Sequence, residues 1–125
     1  MNLRLALASI VLVGVAACGS GYSSPTTPST GGTNNQGGTP VSVTSGAEFK
    51  TTNAFAPNPV TISTGGTVTW TNNDNTTHTS TGNDGSWSSG NIAPGSSFSH
   101  TFNAAGTFQY HCSLHPGMVG TVTVQ

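Results

Sequence analysis

Charged residues are scarce in this sequence. Of its 125 residues, 2 are Lys or Arg and 3 are Asp or Glu, which gives a formal net charge of −1 at pH 7. Proteins that bind nucleic acid neutralise phosphates with clusters of basic side chains. Arg4 and Lys50 form no such cluster, so nucleic acid is excluded as a partner.

The apolar run near the N-terminus is too short to cross a membrane. LALASIVLVGVAA has 13 residues, whereas a spanning helix needs about 20. It follows the basic MNLR and ends in small residues, so residues 1–17 are predicted to be an export signal. The stretch VAAC, ending at Cys18, resembles the lipobox of bacterial lipoproteins, which implies cleavage before Cys18 and lipidation of its thiol. The alternative is an ordinary signal peptide cut nearby, which leaves Cys18 free or removes it.

Cysteine is scarce as well, with 2 in the whole chain. If Cys18 carries a lipid, only Cys112 remains, so the folded domain has no internal disulfide. A Cys18–Cys112 bridge in an oxidising compartment would tie a tail to the domain, and we do not expect it. A lone thiol in an exported protein is oxidised unless it is buried or bound to a metal.

The chain divides by composition into a linker and a domain. Residues 19–40 are mostly Gly, Ser, Thr, Pro and Asn, and such a tract is predicted to be a disordered linker. Residues 41–125 are predicted to fold. No long helical apolar stripe is present there.

Short runs of alternating apolar residues fill the predicted domain. Examples are Val60 with Ile62, and Val68 with Trp70. Turn residues separate these runs about every 8–12 positions, a spacing typical of an all-β sandwich.

The segment YHCSLHPGMVG, residues 110–120, holds the candidate site. Because side chains alternate along a strand, Phe108, Tyr110 and Cys112 share one face, and the two aromatic residues identify it as the core face. His111 then points the other way, and we expect it to be a surface residue.

After Cys112 the strand gives way to a loop, because Pro116 and Gly117 break regular pairing. Two residues separate Cys112 from His115, and two separate His115 from Met118. The loop can bring thiolate, imidazole and thioether together. These ligands favour copper, and a second His would complete a His₂Cys set with a weak axial Met.

The second His is His78 or His100. His78 lies in a polar loop, a natural place for a site at one end of a sandwich. His100 lies within a strand, in step with Phe98 and Phe102, so we expect it to pack there. Position in the sequence therefore favours His78 as the second His ligand.

Two stretches, FAPNPVTISTGGTVTWTNND and SGNIAPGSSFSHTFNAAGTFQYHCSLHPGMVGTVTV, resemble the small blue-copper proteins, the cupredoxins. The C-x₂-H-x₂-M spacing is most similar to that of the amicyanins within this plastocyanin-like group. The resemblance covers about residues 41–125 and implies a Greek-key β-sandwich. It also implies one type 1 copper ion held by His78, Cys112, His115 and Met118.

The sequence departs from that pattern beside two ligands. Relatives often have Pro before the first ligand His and Asn after it, and the Asn usually ties the two ligand loops together. Here Thr77 and Thr79 take those positions. Leu114 precedes His115 where relatives commonly have Pro. These changes leave copper binding intact and affect the reduction potential and the rigidity of the site.

The resemblance implies an electron carrier, not an enzyme, that moves one electron between redox partners by the Cu(I)/Cu(II) couple. We expect a monomer whose partner docks transiently near His115, Leu114 and Pro116. A lipid at Cys18 would anchor it to a bacterial membrane, facing the periplasm or the cell exterior.

Three other functions compete with electron transfer. A copper protein for delivery, resistance or sensing uses the same ligands, and the sequence does not exclude it. A hydrolase with a Cys–His pair is disfavoured, since other ligands crowd the thiol and no orienting group is evident. An adhesion module with chance Cys and His is disfavoured by the order of the ligands.

Overall fold

A computed structural model describes residues 37–125. The predicted signal peptide, the lipidation site Cys18 and most of the predicted linker lie outside the described residues. Within residues 37–125 no helix is long and apolar enough to cross a membrane. Eight strands and one 3-10 helix (Ala47–Phe49) are present; the strands are β1 (Thr39–Val43), β2 (Phe55–Ala56), β3 (Val60–Ile62), β4 (Thr67–Asn72), β5 (Thr81–Gly82), β6 (Ser97–Thr101), β7 (Gly106–His111) and β8 (Val119–Val124).

The strands form two mixed four-stranded sheets. One has the order β2-β1-β4-β6 and the other β3-β8-β7-β5. β1 runs parallel to β4 and β3 runs parallel to β8, while the remaining pairs are antiparallel. The predicted all-β sandwich is confirmed.

Strand β1 begins two residues before the predicted start of the domain. Thr39 and Pro40, assigned from composition to the linker, pair with Val68 and Thr69 of β4. Pro lacks an N–H and is tolerated where a strand has one neighbour. Pro40 lies in such a place, since β2 pairs only with the other end of β1. The folded part of the chain therefore includes Thr39 and Pro40, ahead of the predicted boundary at residue 41.

Aromatic rings from both sheets fill the core. Trp70 of β4 stacks near Trp87 and Phe98, with ring centroids 6.0 Å apart in each case. Its edge meets Tyr110 of β7 at 5.4 Å, and Phe55 meets the same ring at 4.8 Å. Tyr110 is fully buried, as its alternation along β7 predicts.

Hydroxyl groups pair across β4 and β6. The hydroxyl oxygens lie 2.8 Å apart in each of three pairs: Thr67 with Thr101, Thr69 with Ser99, and Thr71 with Ser97. We call these six residues the hydroxyl ladder. Cross-strand pairs of this kind stabilise a sheet without charge.

Strand β5 lies just after His78, inside the polar stretch NNDNTTHTSTGNDGS, residues 72–86, that the sequence predicts to be a loop. Thr81 pairs with His111 and Gly82 with Tyr110. A strand of two residues with no apolar side chain has no detectable period, so its pairing is set by the edge of β7 and not by its own sequence.

Candidate metal centre

The loop between β7 and β8 closes on itself through its backbone. The Cys112 N–H donates to the Met118 carbonyl at 3.1 Å. Inside that closure, His115 N–H donates to the Cys112 carbonyl at 3.3 Å and Met118 N–H to the His115 carbonyl at 2.9 Å. Two successive four-residue turns, from Cys112 to His115 and from His115 to Met118, thus bring these three residues close together.

His78 is fixed by backbone pairing with Ile92. The His78 N–H donates to the Ile92 carbonyl at 3.2 Å, and the Ile92 N–H donates back to the His78 carbonyl at 2.8 Å. The Asn72 side chain also donates to the Ile92 carbonyl at 2.9 Å. Although it lies in a polar loop, His78 is fully buried and held on both sides of its backbone.

Three donor atoms converge. Cys112 Sγ lies 3.8 Å from Nδ1 of His78 and 3.7 Å from Nδ1 of His115. The ligand atoms of these three residues all lie within 4.8 Å of one another. In a trigonal site with metal–sulfur bonds of about 2.3 Å and metal–nitrogen bonds of about 2.0–2.1 Å, sulfur and nitrogen would be about 3.8 Å apart. The distances between the sulfur and the two nitrogens therefore match those needed to bind a first-row metal ion.

The centre is buried on all sides except one. Cys112 and Met118 are fully buried, like His78. His115 is partly exposed, between the exposed residues Leu114 and Pro116. The site therefore meets the surface through the imidazole of His115.

Thr79 ties the His78 loop to the Cys112 loop. Its N–H donates to Cys112 Sγ at 3.3 Å, and its hydroxyl oxygen accepts the Ser113 N–H at 2.8 Å. The Thr81 hydroxyl pairs with those of Thr79 and Ser113 at 3.1 and 2.9 Å. Thr79, which stands where the resemblance to cupredoxins implies an Asn, thus connects the two ligand loops.

Asp74 holds the outer nitrogen of His78. Its Oδ2 lies 2.8 Å from His78 Nε2, and both side chains are buried. Burial raises the pKa of Asp74, but the hydrogen bonds from His78 and from the Gly46 and Asn75 N–H groups outweigh it and hold the pKa well below its usual range. The carboxyl group is therefore an anion at neutral pH.

Comparison with known proteins identifies the family. The sequence model described as "Copper binding proteins, plastocyanin/azurin family" matches residues 41–125. The chain belongs to this family. It is similar to the plastocyanin of Scenedesmus fuscus, with 40% identity over an alignment of 84 positions that covers 57% of this chain and 86% of that protein.

Solved cupredoxin structures share the fold. A purple cupredoxin from Nitrosopumilus maritimus is 32% identical, with a TM-score of 0.65 over 70% of this chain and 99% of that one. A mutant of amicyanin in its reduced Cu(I) form is 27% identical, with a TM-score of 0.57 over 71% of this chain and 83% of that one. The predicted cupredoxin sandwich is therefore confirmed, and copper is the cofactor, with a donor cluster consistent with one type 1 ion.

The other two histidines of this cupredoxin lie away from the donor cluster. His100 stacks on Trp87, with centroids 5.2 Å apart, and meets Phe102 edge-on at 4.9 Å. His111 Nδ1 lies 2.6 Å from the Asn83 side-chain oxygen on the outer side of β7. The structure thus brings His78, not His100 or His111, to Cys112, as position in the sequence predicts.

Sequence reasoning missed Asp74. Two signals point to it in retrospect: it is one of only 3 acidic residues in the chain, and it lies four positions before His78. Metal-bound His residues commonly donate their second N–H to a carboxylate. An acidic residue close in sequence to a candidate His ligand is therefore itself a candidate site residue.

Proposed function

We propose that this cupredoxin is a one-electron carrier that holds its copper through His78, Cys112, His115 and Met118. The observation that supports the proposal is the convergence of Cys112 Sγ with the two imidazole Nδ1 atoms at 3.7 and 3.8 Å. A His₂Cys set with a weak axial Met is the ligand pattern of copper electron-transfer sites.

The surroundings of the ligands suit electron transfer better than catalysis. Copper bound there supplies the Cu(I)/Cu(II) couple. Backbone hydrogen bonds fix Cys112, His115 and Met118 in place, so little has to move when the charge changes. Four protein ligands leave no position for a substrate, and the protein is not an enzyme.

The electron enters and leaves through His115. This imidazole is the only one of the proposed ligands with solvent exposure, and Leu114, 49% exposed, lies beside it. A redox protein would dock transiently on the apolar surface formed by His115, Leu114 and Pro116. With a net charge of −1, that docking is weakly steered and depends little on salt.

The protein acts outside the cytoplasm as a monomer. The basic start, the short apolar run and VAAC at the N-terminus support export and lipidation at Cys18. The lipid holds the domain to a bacterial membrane, on the periplasmic or outer side, and the linker gives it reach.

Visible and electron paramagnetic resonance spectra of the purified protein with Cu(II) test the ligand set. We expect an intense thiolate-to-copper band that disappears in Cys112→Ser. Cys18→Ser is the matched control, because it removes the other thiol and should leave the band. His100→Ala and His111→Ala should leave it too, whereas His78→Ala should abolish it. A colourless protein that binds only Zn(II) would contradict the proposal.

Copper delivery, resistance or sensing is the alternative function. The partly exposed His115 would give a partner access to the edge of the site. Rapid electron exchange with a cytochrome or a dehydrogenase would support the carrier, whereas slow reversible transfer of copper to a partner would support delivery.

A further inference from the structure

We propose that Asp74 is a positioning residue for the copper site. Its carboxylate fixes the imidazole of His78 with Nδ1 free for the metal, and it keeps a negative charge near the metal that favours Cu(II) over Cu(I). This inference rests on the proposed function, since it assigns a role toward the same copper ion.

The contacts of His78 assign a different task to each ring nitrogen. Nε2 lies 2.8 Å from Asp74 Oδ2, and Nδ1 lies 3.8 Å from Cys112 Sγ on the other side of the ring. An ionised carboxylate only accepts hydrogen bonds, so Nε2 carries the proton that it donates to Asp74. The lone pair of Nδ1 then faces the thiol sulfur, where a metal would lie.

Asp74 is itself held by a full set of donors. Oδ1 accepts the Gly46 and Asn75 N–H groups at 2.9 Å each. Oδ2 accepts the Ala47 N–H at 3.2 Å together with His78 Nε2–H. Four hydrogen bonds match the four lone-pair sites of a carboxylate, so Asp74 cannot turn away from His78 without also breaking its bonds to three backbone N–H groups, of which that of Ala47 is buried.

The carboxylate is a rare fixed charge in this cupredoxin. Asp74 is one of 3 acidic residues in the sequence, and its side chain is 1% exposed. Because charges interact more strongly where water is excluded, the anion stabilises Cu(II) more than Cu(I). The expected result is a lower reduction potential than the four ligands alone would give.

The variant Glu48→Gln separates the effect of the hydrogen bond between Asp74 and His78 from the effect of a nearby negative charge. One ligand atom from each of Glu48, Asp74 and His78 lies within 4.8 Å of the other two, but it is Asp74 that accepts the hydrogen bond of Nε2. Glu48→Gln removes a nearby carboxylate and leaves the contact of Asp74 with His78 in place. Asp74→Asn keeps the shape of the side chain and removes both its charge and two of its four acceptor sites.

Chelator competition and a spectroelectrochemical titration of the full-length protein measure the effect. In Asp74→Asn we expect Cu(II) affinity to fall by about 10–100-fold, with a smaller loss for Cu(I). For each factor of ten by which the loss of Cu(II) affinity exceeds the loss of Cu(I) affinity, the reduction potential rises by about 59 mV. Glu48→Gln should show a smaller change, and Asp84→Asn, which removes an exposed carboxylate hydrogen-bonded to Ser86, should show none.

Nitrogen-15 NMR of the wild-type protein tests the tautomer without any substitution. We expect Nε2 of His78 to carry the proton, both in the copper-free protein and in its diamagnetic Cu(I) form. A proton on Nδ1 in the copper-free protein, or rapid averaging between the nitrogens, would overturn the inference. If Asp74→Asn does not fold, this measurement decides the matter.

The two proposals fail in different ways. A wild-type protein without a blue Cu(II) site overturns the proposed function. A wild-type protein with a blue site, whose Asp74→Asn variant has the same potential as Glu48→Gln, leaves the proposed function standing and overturns the role of Asp74.

Discussion

Thr79 connects the two ligand loops at a position where the resemblance to cupredoxins implies an Asn. Its hydroxyl oxygen accepts the Ser113 N–H at 2.8 Å while its own N–H reaches Cys112 Sγ at 3.3 Å. The residue is buried, so water cannot easily take over either bond. The rigidity of the Cys112 loop therefore depends on a hydroxyl group.

Thr79→Val tests that dependence. Val has nearly the same shape but no hydroxyl, so the Ser113 N–H loses its acceptor. We expect a loss of about 1 kcal/mol in the free energy of unfolding and faster release of copper to a chelator. Thr107→Val, at an exposed position of β7, is the matched control. Equal rates of copper release from Thr79→Val and the wild-type protein would show that the hydroxyl does not hold the loop.

Individual residues of the site differ in how far the sequence predicts them. Cys112, His115 and Met118 follow from spacing, because one short loop carries all three. Asp74 does not follow from spacing, since two of its donors, Gly46 and Ala47, are 28 and 27 residues away. Only folding shows that its carboxylate is enclosed.

Among the elements, the β7–β8 hairpin sets the position of the metal loop. Tyr110 pairs with Gly120 and His111 with Val119 at the end of the two strands. The Tyr110 side chain lies directly over Gly120, where an added Cβ would overlap ring atoms including Cζ and the hydroxyl oxygen. The absence of a side chain at 120 thus allows the hairpin to carry a large buried ring next to the loop.

Gly120→Ala tests this close approach. The methyl group forces the buried Tyr110 ring to move, so we expect a loss of about 1–3 kcal/mol in the free energy of unfolding, measured by denaturant titration. The control is Gly117→Ala in the same hairpin, where nothing lies within 4 Å of an added Cβ. Equal stability of the two variants would contradict the structural role assigned to Gly120.

Element length decides which strands the sequence predicts. Buried residues alternate along β3 and β8, Val60 with Ile62 and Val122 with Val124, and the apolar Val68 and Trp70 alternate along β4. This pattern predicts all three strands. β2 and β5 have two residues each, too few for any period. The pairing of such strands depends on neighbours that are distant in the sequence.

At the scale of the whole molecule, we expect the N-terminal residues to determine where the copper site works. The predicted lipidation at Cys18 stays a prediction, because that residue lies outside the described part of the chain. A lipid there would confine electron exchange to partners within reach of the linker, whatever the chemistry of the metal site.

Cys18→Ser tests the anchor. In a bacterial host we expect the wild-type protein in the membrane fraction and the variant in the soluble fraction, because the variant lacks the thiol that receives the lipid. Cys112→Ser should remain with the membrane and serves as the control for the loss of a thiol. Retention of Cys18→Ser in the membrane would contradict lipid anchoring.

The hydroxyl ladder on β4 and β6 has a consequence for the conditions that the protein can tolerate. Its three oxygen pairs at 2.8 Å neither gain nor lose protons at ordinary acidity, and dissolved ions do not screen them as they screen charged pairs. Acidity and salinity vary more outside the cytoplasm, where we propose that this protein acts. A sheet held together by hydroxyl pairs is therefore less sensitive to pH and to salt than one held together by ion pairs.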